Sequence, residues 1–104
     1  MAKADMPKTA KIGPHVYRVE RWPASKIPEI DGNEANAFHD PDGLLIVVRQ
    51  RLRRSKAQEF TVHEFLHSIW PAGDPREEEN VTSLAPRLLQ LVQDNPELVE
   101  YLRQ

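Results

Sequence analysis

TVHEFLHSIW, residues 61–70, contains the pattern His63-Glu64-x-x-His67. Two histidines four positions apart on a helix project from one face about a turn apart. Their ring nitrogens can then share one metal ion, while the intervening glutamate reaches a water held by that ion. Val62, Phe65, Leu66 and Ile69 fall on one stripe at 100° per residue, and His63 and His67 border that stripe with Glu64 just beyond them. Histidines at the border of a packed face can look into a cleft while the helix stays docked. In the middle of the face they would be read as buried core residues. The pattern is that of a zinc hydrolase, with His63 and His67 as ligands and Glu64 as general base.

Outward from this stretch, Ser55 is the expected N-cap, with Glu59 in the first turn, of a helix that Pro71 and Gly73 stop after Trp70. Before it, LLIVV at residues 44–48 is the most apolar run in the chain. It is short and β-branched, so it is expected to be the best buried strand. HDPDG at 39–43 supplies turn residues between this run and residues 34–38, so a hairpin is expected. HVYRVE at 15–20 predicts another strand, and residues 21–33, broken by Pro23, Pro28 and Gly32, an exposed connection. Residues 1–12 are expected to be a flexible tail and residues 13–104 a single domain.

After the helix, Val81, Leu84, Ala85, Leu88, Leu89 and Val92 recur at three- and four-residue steps, predicting a second helix that Pro86 either kinks or begins. Asn95 followed by Pro96 reads as the N-cap and first position of a short C-terminal helix. The fold class expected is α+β: a small antiparallel sheet of about three strands on the H-E-x-x-H helix, a second ligand-bearing helix and the short C-terminal one.

Catalytic zinc takes three protein ligands and keeps one position for water, so a third ligand is required. Glu77, Glu78 and Glu79 stand at the start of the second helix, where carboxylates also favour the positive end of the helix dipole. Helical phase turns Glu79 away from the apolar stripe and places Glu78 at the stripe's edge, facing a cleft. Glu78 is therefore preferred, with Glu77, Glu79, His15 and His39 as alternatives. Two imidazoles, one carboxylate and an adjacent base favour one Zn2+ per chain over iron or manganese.

The composition sets bounds on this reading. At 104 residues without cysteine, the chain has a thin core and no disulfides, so a metal or a partner is a natural source of further stability. A net charge of −2 exerts no general pull on nucleic acid, and the basic residues of 49–56 are read as a solvated face. No apolar run approaches the ~18 residues of a membrane span and no secretory stretch opens the chain, so no membrane contact and a cytoplasmic location are expected.

The segments VHEFLHSIW (62–70) and EEENVTSLAPRLL (77–89) together resemble the ImmA/IrrE-type metallopeptidases, above all the short phage-encoded zincins grouped with them. In that family the second helix carries E-x-x-A-x-x-F-A and then paired leucines. Here Glu78, Val81, Leu84 and Ala85 hold those spacings, followed by Leu88 and Leu89. Val81 and Leu84 stand where the family has Ala and Phe, and the family's Met-Pro after the leucines is absent. The resemblance implies a minimal zincin in a bacterial host, with Glu78 as third ligand and a peptide or protein substrate, such as a host or phage regulator. Tyr17, His39, Arg87 and Tyr101 are the candidate donors to the oxyanion. The alternative is a catalytically silent, zinc-stabilised module that binds a host regulator.

Overall fold

The structure, a computed structural model, describes residues 5–30, 32 and 34–104. The first four residues of the expected tail and positions 31 and 33 of the expected connection lie outside the described residues. The elements run β1 (Thr9–Ile12), β2 (His15–Trp22), a 3-10 turn (Ala24–Lys26), β3 (Ala37–Asp40), β4 (Leu45–Arg49), α1 (Arg54–Ile69), α2 (Glu77–Asp94) and α3 (Pro96–Arg103). The class is α+β, with a four-stranded sheet in the order β1-β2-β4-β3.

Two expectations about the sheet are corrected. Residues 9–12 are not tail but an edge strand, antiparallel to β2 across the turn at Gly13, whose φ of 58° suits a residue without Cβ. Ala10 and Ile12 alternate inward, where they pack on the cluster of Tyr17, Val19 and Ile46. The sheet is also mixed rather than antiparallel, since β2 pairs with β4 in parallel, Val19 opposite Ile46, and β3 takes the outer edge antiparallel to β4. β2 ends with Trp22 opposite Arg49 and β3 begins with Ala37 opposite Val48, so the two strands meet the same end of β4 from its two sides. The connection between them is not wholly exposed, because Ile27 is buried with Leu45 and Val47 on the face of the sheet away from the helices.

β4 is the centre of the core, as its composition predicts. Ile46, Val47 and Val48 are completely buried, and the alternation sends Ile46 and Val48 toward α1 and Val47 toward Ile27. The hairpin to β3 is present but its turn is shifted. Asp40 Oδ1 accepts the backbone N–H groups of Asp42 and Gly43, each at 3.1 Å, so the bend lies at 41–44 and His39 belongs to the strand.

α1 lies between the sheet and α2. Ala57 and Phe60 face Ala37 and Val48, Phe65 faces the Tyr17 cluster, and Leu66 meets Val81 and Ala85 of α2. The helix begins at Arg54 without a side-chain cap, so Ser55 is not its N-cap; the chain turns in through Arg51, whose φ is 64°. Pro86 sits on the exposed side within one continuous α2. Asn95 holds the N-cap position of α3 as expected, but its side chain serves the preceding helix, its Nδ2 donating to the Leu91 carbonyl at 2.9 Å. Pro96 opens α3 as expected, and α3 buries none of its residues. In the basic run, Arg51, Arg53, Arg54 and Lys56 are exposed. No helix among the described residues is long and apolar enough to cross a membrane.

Candidate metal centre

His63 and His67, one turn apart on α1, bring their Nε2 atoms to 3.1 Å from each other, with ring centroids 4.8 Å apart. α2 runs back along α1 and delivers Glu78 to the same point: Oε1 is 3.1 Å from His63 Nε2 and Oε2 is 2.7 Å from His67 Nε2. Ligands held at about 2.0–2.2 Å around one ion stand roughly 3–3.5 Å apart. The three donor groups are at that scale, and His63, His67 and Glu78 can hold a metal ion.

The contact between α1 and α2 is what makes this possible. Leu66, Val81 and Ala85 interlock directly beneath the three donors, with Val81 fully buried. The connection is clamped by Asp74, which accepts Trp70 Nε1 at 2.8 Å, Asn80 Nδ2 at 3.2 Å and the Arg76 backbone N–H at 2.9 Å.

The three glutamates at the start of α2 point three ways. Glu79 forms an exposed pair with Arg76, in the direction its helical phase predicts. Glu78 meets both histidines. Glu77 accepts a hydrogen bond from His67 Nδ1 at 2.7 Å, on the opposite edge of the ring from Glu78.

Glu64 is the one buried charged side chain among the described residues, 7% exposed. Burial pushes its carboxyl up to about 7, against a smaller opposing pull from His67 and with a further push from Glu78. Burial also lowers His63, overcoming the attraction of Glu78. For His67 burial lowers too, but the bond to Glu77 and the charges of Glu78 and Glu64 together raise it. A groove of about 620 Å³ runs beside the donors, lined by His63, Glu64, Glu78, Phe60 and residues 34–37 leading into edge strand β3.

No family model, curated protein or solved structure matches this chain. Of the four oxyanion-donor candidates, only His39 is brought to the centre. Its ring stacks on His67 with centroids 5.9 Å apart, and its Nδ1 lies 4.0 Å from Glu64 Oε2. Tyr17 is buried in the sheet core, Arg87 is bound to Ser83, and Tyr101 is 73% exposed on α3. His15 is exposed at the start of β2, opposite Ile12, with β4 standing between β2 and β3. The direction of His39 depends on strand register, which the sequence does not fix, and nothing local to Glu77 signals a bond to the far nitrogen of His67.

Proposed function

We propose that this chain is a zinc-dependent metallopeptidase of the minimal zincin kind. The observation that carries the reading is the convergence of the His63, His67 and Glu78 donors beside a buried glutamate, with all but His67 lining one groove. Two imidazoles and a carboxylate suit zinc, and the resemblance of residues 62–70 and 77–89 to ImmA/IrrE-type peptidases points the same way. When bound there, zinc supplies Lewis acidity and makes water a nucleophile near neutral pH. Glu64 takes the proton from the attacking water and passes it to the leaving amine. Of the candidate donors His39 is the one beside Glu64 and His67, and under this proposal it steadies the charge developing on the carbonyl oxygen. The outer edge of β3 can pair with an extended peptide laid along the groove, so a protein segment, such as a regulator in the cytoplasm of a phage-infected host, is the substrate class.

A second reading is favoured by the span of the centre: its ligands join α1 to α2, so a bound ion stabilises a thin core, and the chain could act as a binding module without cleavage. One set of variants separates the two. Protein purified without added metal is expected to carry about one zinc per chain, as one such site implies, and His63→Ala and Glu78→Ala to lose it. Glu64→Gln should keep the zinc and lose turnover of a cleaved peptide by roughly 100-fold or more. Full zinc occupancy with no cleavage by the wild type across a peptide library would leave the binding-module reading standing.

A further inference from the structure

Carboxylates in the first turn of a helix need no function, because the dipole alone favours them there. That account covers Glu79, whose side chain lies in solvent beside Arg76. It does not cover Glu77, which turns inward and is about a third exposed, to meet His67 Nδ1 at 2.7 Å. Its backbone is fixed independently of the donors, the Glu77 N–H donating to the Asp74 carbonyl at 3.2 Å within the turn that Trp70 and Asn80 brace. An imidazole that binds a metal through Nε2 must keep its proton on Nδ1, and it coordinates best when that proton is held by a fixed acceptor.

We infer that Glu77 is a positioning residue of the metal centre: it holds His67 with the proton on Nδ1 and the ring plane aimed so that Nε2 is presented beside His63 and Glu78. This rests on the metal reading above and assigns the three consecutive glutamates separate roles, with Glu77 behind the ligand, Glu78 as the ligand, and Glu79 paired at the surface.

The test measures zinc affinity by competition with a chromophoric chelator for the wild type, Glu77→Ala, Glu77→Gln and Glu79→Ala. Glu77→Ala should bind zinc roughly 10–100-fold more weakly, the range typical of lost outer-shell partners. Glu77→Gln, whose carbonyl can still accept from Nδ1, should lose less, and Glu79→Ala should match the wild type. Nitrogen-15 NMR of the zinc-loaded protein should show a protected His67 Nδ1 proton in the wild type that exchanges freely in Glu77→Ala. A merely structural role would not move that signal. Glu77→Ala with unchanged affinity and an unchanged ring proton, or a loss equal to that of Glu79→Ala, would overturn the inference. A wild type that takes up no zinc would overturn the metal reading itself, and is told apart by silence in every variant.

Discussion

Glu64 carries a carboxyl group into a nearly dry place, where His39, His67 and Glu78 are the titratable groups around it. In the metal-free protein its pKa is raised from 4.5 to about 7, so the folded state holds a proton that the unfolded chain has already released. The stability this gives is complete below the unfolded value and is lost as pH rises through the folded one, amounting to about 3 kcal/mol. His67 contributes with the same sign, while His39 and His63, both lowered by burial, contribute with the opposite one. Comparison with Glu64→Gln isolates the carboxyl. In chelator, urea unfolding should show the variant gaining on the wild type by about that amount between pH 4.5 and 8, and a gap that stays flat would refute the assignment. Zinc should shrink the gap, because a nearby cation favours the ionised carboxylate. The directions of His63, His67, Glu78 and Glu79 were legible in the sequence because helical phase fixes them. The burial of Glu64 was not, since it depends on how closely β3 and α2 approach α1.

Among the elements, β4 and the two long helices announce themselves, one by an unbroken β-branched run and the others by spacing. β1 did not, because four residues with only two inward side chains cannot establish a period. The parallel pairing of β2 with β4 was equally hidden, since alternation tells which side chains face inward and not which strand lies alongside. The apolar repeat of α2 likewise overstated its buried face: Val81 and Ala85 are inside, whereas Leu84 and Val92 are exposed. This difference can be measured. Val81→Ala opens a cavity at the α1–α2 contact and should cost about 2 kcal/mol while weakening zinc binding, because it loosens the spacing between the ligand-bearing helices. Leu84→Ala should stay within about 0.5 kcal/mol and leave zinc binding unchanged. Equal losses from the two variants in chemical denaturation would contradict this packing.

At the scale of the whole molecule, sheet, α1 and α2 form the connected body, and α3 adds a helix with no buried residue. Truncation after Asn95 should therefore change stability by about 1 kcal/mol or less and leave zinc affinity intact. A large fall in melting temperature would mean that α3 covers more of α2 than its exposure indicates. The three donors, in contrast, all lie between His63 and Glu78, on two consecutive helices joined by one braced turn. The centre is thus built unevenly. Residues 63–78 alone carry every donor that could hold an ion. The nearly dry surroundings of Glu64 are not local in this way, because they are built where α1 rests on strands from elsewhere in the chain. A 63–78 segment moved into another scaffold would take the donor set with it and leave the dry pocket of Glu64 behind.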